Sequence, residues 1–191
     1  DTVLLALHCF TGCGEDFSAF SQLAGLSNLI HWVYPDLPGH GANAPRACDA
    51  DAFIDFIESE RVICGADTFK KRILLGYSMG ARAALQHACT YPNAWDALIL
   101  ISANPGVEAE LDREQRRQAD IKLAEDILKE GTEVFIEKWQ EQALIYPQKL
   151  IRPDWYEKMQ ANRLRHPKEG LANNLKYFGQ GTAPNLWLDL E

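Results

Sequence analysis

Four short apolar runs along the chain predict buried β-strands. They are residues 2–8 (TVLLALH), 30–35 (IHWVYP), 72–77 (RILLGY) and 97–102 (ALILIS). Each run is rich in branched aliphatic side chains and bounded by turn residues, which is typical of parallel strands buried on both faces. Helical patterns lie between the strands, at about residues 15–25, 51–65 and 79–91. This alternation of strand and helix indicates an α/β fold, a parallel sheet with helices on both faces.

The pattern changes after residue 104, where apolar residues recur at helical spacing and no strand is predicted up to about residue 178. A first long helix is predicted to end at Gly131, and the next to open with Thr132 as its N-cap. Further helices are predicted within residues 154–165 and 169–179 and over residues 184–191. The predicted organisation is an α/β core over residues 1–104, a helical lid over 105–180 and a return to the core over 181–191.

Composition narrows the possible partners. The 191 residues carry a formal net charge of −8, which disfavours nucleic acid and anionic membrane as partners. No apolar run approaches the ~18 residues of a membrane span. The five cysteines follow no disulfide or zinc spacing, so we expect reduced thiols, no metal and a cytoplasmic protein. A small anionic substrate is compatible with the charge if arginines cluster in a pocket, and the oligomeric state is not indicated.

Gly76-Tyr77-Ser78-Met79-Gly80 fits the pattern G-x-S-x-G. The pentapeptide is weak alone, but here a strand precedes it and a good helix former follows. A nucleophile elbow requires this order of strand, sharp turn and helix. The glycines allow the tight turn, and the serine then lies at a helix N-terminus, where free amides favour negative charge. We therefore predict Ser78 as the catalytic serine.

An oxyanion hole requires two converging amides. The first is predicted at Met79, directly after the serine, and the second in the loop after the first strand, at Phe10. His40, in the loop Asp36-Leu37-Pro38-Gly39-His40-Gly41, is interpreted as structural, because in this kind of site the histidine follows the serine in the chain.

The segments LHCFTG, DLPGHG and GYSMGARAAL together resemble the α/β-hydrolase superfamily over the whole chain. Asn104-Pro105-Gly106 before an arginine-rich helix, and GLANNLKYFGQGTAPNLW near the end, resemble one family in it: the 2-succinyl-6-hydroxy-2,4-cyclohexadiene-1-carboxylate synthases of menaquinone biosynthesis. The resemblance implies a lyase that eliminates pyruvate with a Ser-His-Asp triad and no cofactor. It also implies a basic pocket for the carboxylates of the substrate.

The resemblance further implies a set of substrate-binding residues: Tyr77, Arg82, Arg116, Trp139 and Arg165. Arg82 also follows from spacing, since it lies one helical turn after Ser78 and a guanidinium can fork onto a carboxylate. Arg116 shares a helix face with Arg113 and Arg117, and a solvated charged face is the alternative for all three. Arg163 is the alternative to Arg165, and lid packing the alternative for Trp139.

Two departures from the family pattern stand out. Cys9 replaces the usual glycine of the first oxyanion loop, and a packing role is favoured for it. No Asp or His follows where the triad requires them, since Asp189 lies in the last predicted helix and His166 in the lid. The final strands with the triad acid and histidine are interpreted as missing from this sequence, and the alternative is a chain that ends here without activity. Besides the lyase, a serine hydrolase of an ester, thioester or carbon–carbon bond and a non-catalytic relative stay open.

Overall fold

A computed structural model of the chain describes residues 1–23 and 25–190. Its strands form one parallel sheet in the order β2-β1-β3-β4. They are β1 (Thr2–Leu7), β2 (Ile30–Val33), β3 (Lys71–Tyr77) and β4 (Ala97–Ile101). The four predicted strands and the α/β fold are confirmed.

The register of the sheet brings the ends of its strands together. Leu7 of β1 lies opposite Gly76 of β3, and Tyr77 lies opposite Ile101 of β4. The residues that leave the carboxyl ends of these three strands are therefore neighbours, and in open parallel sheets this edge is where ligands bind.

The sheet is flanked by α1 (Ser18–Ser21), α2 (Ala50–Ile63) and α3 (Met79–Thr90). The side chain of Asp49 caps α2 by accepting from the amide of Ala52 at 3.0 Å. The helix predicted over residues 15–25 is shorter than expected. A 3-10 turn covers Gly14–Phe17, α1 ends at Ser21, and Ala24 lies outside the described residues.

The lid contains α4 (Glu110–Glu130), α5 (Thr132–Gln140), α6 (Pro147–Ile151), α7 (Pro153–Arg163) and α8 (Lys168–Phe178). The prediction of Thr132 as an N-cap is wrong. Gly131 occupies that position with φ +92°, and the hydroxyl of Thr132 donates instead to the carbonyl of His166 at 2.8 Å. The short α6 was not predicted.

The helix predicted over residues 184–191 is mostly absent. Trp187–Leu190 form one 3-10 turn, while the amide of Leu186 donates to Pro105 at 2.7 Å. The indole of Trp187 also donates to Gly106 at 3.0 Å. These bonds tie the end of the described chain to the segment that enters the lid. Glu191 lies outside the described residues.

Two apolar cores meet at one residue. The first lies between the sheet and α2 and α3, with Leu5, Phe53 and Leu74 among its fully buried members. The second joins α4, α5 and α8 in the lid. Phe10 packs against both cores, so the loop after β1 lies where the sheet and the lid meet.

No helix of the described residues is both long and apolar enough to cross a membrane.

Candidate active site

Ser78 lies in a strained turn between β3 and α3. Its backbone adopts φ +53° and ψ −110°, a region that side-chain-bearing residues rarely occupy. Gly76 and Gly80 allow the turn: a Cβ on Gly76 would lie 2.4 Å from the Cα of Ala81, and one on Gly80 would lie 2.2 Å from the carbonyl oxygen of Leu7. The G-x-S-x-G pattern therefore forms the sharp strand-turn-helix geometry that a nucleophile elbow requires, pressed against the end of β1.

The elbow is anchored by its backbone and leaves its hydroxyl free. The amide of Ser78 donates to Ile101 at 2.9 Å, and the carbonyl of Ser78 accepts from the amide of Arg82 at 3.0 Å. The half-buried Ser78 side chain has no hydrogen bond to a histidine in residues 1–23 and 25–190. Among the described residues, Ser78 therefore lies in a fully formed elbow but is not bonded to a histidine that could act as its base.

The loop after β1 faces the elbow. Because the backbone of Gly80 packs on the carbonyls of Leu7 and His8, the residues that follow, Cys9 and Phe10, lie beside the start of α3. Met79 opens α3, and its amide, as the first in the helix, has no partner within it. This arrangement is compatible with the predicted oxyanion hole between the Met79 and Phe10 amides.

Three buried histidines surround the same loop. The rings of His8 and His166 lie with their centroids 5.0 and 5.1 Å from that of His40. His40 is bonded to the backbone of Thr11 and Pro38, at 3.3 and 3.1 Å, which agrees with the structural role expected for it. Burial lowers the pKa of all three histidines, that of His8 to about 4.

Trp139 reaches the site through Phe10. The two rings meet edge to face with centroids 5.3 Å apart, and Phe135 lies 5.4 Å from Trp139 and 6.1 Å from Phe10. Trp139 is half-buried. It therefore packs within the lid and touches the candidate oxyanion residue at the same time.

Arg82 is buried one turn after Ser78. Its guanidinium donates to the carbonyl of Phe178 at 2.5 Å and lies 4.9 Å from the centre of the Phe178 ring. Burial lowers the pKa of Arg82 to about 10, and the nearby charge of Asp120 opposes this shift. Asp120 also accepts from Arg116 at 2.8 Å, and the Arg116 side chain is 42% exposed. The structure thus brings Arg82 and Arg116 together around one buried carboxylate.

The structure separates Arg163 from Arg165. Arg165 is exposed beyond the end of α7, whereas Arg163 is buried and donates to Gln148 at 2.9 Å. The Nε and Nη1 atoms of Arg163 have no hydrogen-bond partner among the described residues. Its positive charge lies near enough to Cys9 and Tyr77 to oppose the rise in pKa of both groups. Arg163, the alternative to Arg165, is thus the arginine of this segment whose charge acts on the loop after β1 and on Tyr77.

A cavity of about 650 Å³ opens beside the elbow. Tyr77 and Cys9 line it, as does Gln148, the partner of Arg163. Most of its remaining lining is apolar, including Trp32, Leu75, Ile101, Trp155 and Met159. Burial raises the pKa of the Cys9 thiol to about 11, so the thiol is protonated at neutral pH and packs rather than reacts.

Sequence reasoning named Arg163 only as the alternative to Arg165, and it missed the cluster of His8, His40 and His166. Arg163 continues the helical spacing of Trp155 and Met159, four residues apart, which line the cavity. That spacing was a usable signal for Arg163. The cluster of His8 with His166 had no comparable signal, since these residues are 158 positions apart and both lie in loops.

Comparisons with known proteins agree with this geometry. A family described as "Alpha/beta hydrolase family" matches residues 3–190. A putative 2-succinyl-6-hydroxy-2,4-cyclohexadiene-1-carboxylate synthase of Bacillus subtilis is 34% identical over 98% of this chain and 68% of that protein. The enzyme of that name from Salmonella typhimurium is 36% identical over 72% of this chain and 53% of its own length.

A solved structure, that of MenH from S. aureus, matches with a TM-score of 0.89 and 28% identity, over 99% of this chain and 70% of that one. The chain therefore spans between about half and about 70% of the length of these relatives. On the family match and the 34% identity, the chain belongs to the alpha/beta hydrolase family.

Proposed function

We propose that this protein is a lyase of menaquinone biosynthesis, a 2-succinyl-6-hydroxy-2,4-cyclohexadiene-1-carboxylate synthase. It acts on a cyclohexene that carries succinyl and enolpyruvyl groups and eliminates pyruvate. The observation that carries the proposal is the buried guanidinium of Arg163, next to Tyr77 and the oxyanion loop, with two nitrogens unpaired among the described residues. A buried cation without an anion is costly, and a substrate carboxylate supplies that anion. The relatives of this chain are named for the synthesis of 2-succinyl-6-hydroxy-2,4-cyclohexadiene-1-carboxylate, which supports the same reaction.

The proposed chemistry starts at Ser78. Its oxygen, assisted by a histidine base, takes a proton from the carbon next to the succinyl carbonyl. The resulting oxyanion is held by the amides of Met79 and Phe10, and each such donor typically contributes ~10²–10³ in rate. The C–O bond to the enolpyruvyl group then breaks, the ring gains a double bond, and the released enolpyruvate takes up a proton to become pyruvate.

Two groups of side chains bind the carboxylates of the substrate in this proposal. Arg163 and Tyr77, which lines the cavity, bind one carboxylate of the substrate, and Arg82 and Arg116 bind another. The carboxylate of Asp120 already neutralises part of the positive charge of Arg82 and Arg116. We therefore expect Arg163 to bind a substrate carboxylate more strongly than that pair does. No residue of the described chain is paired with Ser78 as its base, so the test must use the protein as its organism makes it.

The experiment measures pyruvate release from the succinyl-enolpyruvyl substrate, with Ser78→Ala as the control and the intact mass of the preparation recorded beside 21.5 kDa. Ser78-dependent release supports the proposal. A homogeneous, folded protein whose pyruvate release equals that of Ser78→Ala contradicts it.

A second candidate is hydrolysis of a carboxylic ester, which the mainly apolar lining of the 650 Å³ cavity favours. The same two preparations are assayed with p-nitrophenyl butyrate. Ester turnover that exceeds pyruvate release and disappears in Ser78→Ala decides for the esterase.

A further inference from the structure

The loop that carries Phe10 is held by histidines from three different segments. His8, at the end of β1, lies 2.8 Å from the carbonyl oxygen of Cys9. His40 accepts from the amide of Thr11 at 3.3 Å, and His166, from the lid, lies 3.2 Å from the carbonyl oxygen of the same residue. None of the three has a part in the chemistry proposed for Ser78.

The partners of each ring determine which of its nitrogens carries the proton. The amide of Leu37 donates to Nε2 of His8, that of Thr11 to Nε2 of His40 and that of Gly41 to Nδ1 of His166. A backbone amide can only donate, so each of these nitrogens accepts. The opposite nitrogen then carries the hydrogen and donates to a carbonyl: that of Cys9, Pro38 or Thr11. All three rings are therefore neutral, and both nitrogens of each are used.

His166 is the member of this cluster that joins the lid to the core. It is 3% exposed and bridges two loops of the core, through the amide of Gly41 and the carbonyl of Thr11. Its own carbonyl accepts from the hydroxyl of Thr132, the first residue of α5. A displacement of this part of the lid therefore reaches the oxyanion loop through one side chain.

Thr11 is the residue on which this arrangement acts. It adopts φ +64°, which is unfavourable for a β-branched residue and persists only where neighbours hold it. Its amide is held by His40 and its carbonyl by His166. The residue directly before it is Phe10, whose orientation depends on this torsion.

We propose that His166 is a positioning residue, which holds Thr11 in its strained conformation and so aims the amide of Phe10 at the oxyanion. The inference rests on the oxyanion role given to Phe10 under the proposed function. A donor must lie about 2.7–3.1 Å from the developing charge, so a small rotation at Thr11 is enough to weaken it. His166 thus acts through Thr11, and the substrate itself is bound elsewhere, by the arginines.

The test compares His166→Leu, which removes both bonds, with His166→Gln, which can restore an N–H for the Thr11 carbonyl. His87→Gln is the matched control, since His87 is equally buried and has both ring nitrogens bonded, to Glu58 and Trp95, outside the site. The first readout is NMR on the protein as its organism makes it: the exchange rate of the Thr11 amide and the chemical shift of the Phe10 amide. The Thr11 amide is bonded to His40, so its exchange reports an effect transmitted from His166.

In His166→Leu we expect the Thr11 amide to exchange about tenfold faster than the loss of global stability accounts for, the equivalent of one lost buried hydrogen bond. The amide of Leu74 in the core exchanges through global unfolding and reports that global loss. His166→Gln should recover part of the protection, and His87→Gln should leave the Thr11 and Phe10 signals in place. Unchanged signals of both residues in folded His166→Gln and His166→Leu overturn the inference, whatever reaction Ser78 catalyses.

The second readout is pyruvate release by the protein as its organism makes it. We expect kcat to fall about 10²-fold in His166→Leu with KM within about twofold, because one oxyanion donor is misplaced and binding is retained. A fall in kcat and Tm in His87→Gln that equals the fall in His166→Leu overturns the positioning role. A change in His166→Leu that is confined to KM overturns it as well. Absence of pyruvate release in the wild type refutes the proposed function instead, and the NMR readout still decides on His166.

Discussion

The ring of Phe10 meets the edge of Trp139 at 5.3 Å between centroids and 79° between planes. Phe10 is also the residue whose amide is proposed to bind the oxyanion. Its backbone thus belongs to the loop after β1, while its side chain belongs to the aromatic packing of the lid. Phe10 therefore couples packing in the lid to the geometry at the elbow, beside the coupling through His166.

Trp139→Ala should lower the free energy of unfolding by about 1–3 kcal/mol, because a half-buried aromatic loses its apolar contacts and two ring pairs. Urea unfolding followed by circular dichroism measures the change. Val134→Ala, at an exposed position of the same helix, is the control and should change stability by less than about 0.5 kcal/mol. A loss in Trp139→Ala no larger than in Val134→Ala contradicts the packing described for Phe10.

Ser78→Gly should stabilise the fold while it removes activity. Ser78 adopts φ +53° and ψ −110°, and glycine reaches such torsions without a Cβ penalty, so we expect a gain of about 1 kcal/mol in the free energy of unfolding. Ser59→Gly, at an exposed position inside α2, is the matched control and should lose about 0.5 kcal/mol. Thermal unfolding of both variants gives the comparison. A lower stability for Ser78→Gly than for the wild type would show that the elbow stores no strain.

The sheet and the elbow could be predicted from the sequence because both depend on local patterns. A strand buried on two faces reads as a short apolar run, and the elbow requires glycines at two fixed positions, where a Cβ on Gly76 or Gly80 would collide with backbone. The ends of elements were less predictable. Gly131, with its positive φ, took the cap position predicted for Thr132, and the end of the chain is bonded to Pro105 and Gly106 and forms a 3-10 turn in place of the predicted helix.

The polar interior of the site could be predicted only in part. His8, His40 and His166 meet because three loops converge, and no sequence spacing encodes that convergence. The choice between Arg163 and Arg165 depended on where α7 ends, and helix ends are among the least certain features of a sequence-based prediction. Ser78, Met79 and Arg82 could be located from the order of strand, turn and helix, whereas the meeting of the three loop histidines required the structure.

Arg163→Met should raise the KM for the succinyl-enolpyruvyl substrate about 10- to 100-fold, since a charge-assisted hydrogen bond to a carboxylate is lost. Arg165→Met is the matched control, because Arg165 is exposed two residues further along the chain. We expect its KM to stay within about twofold of the wild-type value. Steady-state pyruvate release measures both. A larger effect in Arg165→Met than in Arg163→Met would return the substrate role to Arg165.

The histidine cluster predicts that stability falls as the pH falls below neutral. Burial lowers the pKa of His8 from 6.5 to about 4, and it lowers those of His40 and His166 as well. Asp16 and Asp36 face the cluster and oppose the shifts of His8 and His166, but burial outweighs them. As the pH drops below about 6.5 the unfolded chain binds protons that the folded chain does not, so the free energy of unfolding decreases until the folded pKa values are reached.

Urea unfolding at pH 7 and pH 5 measures this loss. For His8 alone the expected decrease is about 2 kcal/mol, at about 1.4 kcal/mol for each pH unit between 6.5 and 5, and the other two histidines add to it with the same sign. His166→Gln should be less stable than the wild type at pH 7 and lose less between the two pH values, because one of the neutral rings is gone. An equal loss in both proteins would mean that the pKa of His166 is not lowered in the folded state, so that folded and unfolded chains bind its proton alike between pH 7 and pH 5. On Nδ1 such a proton would face the amide of Gly41, which also donates.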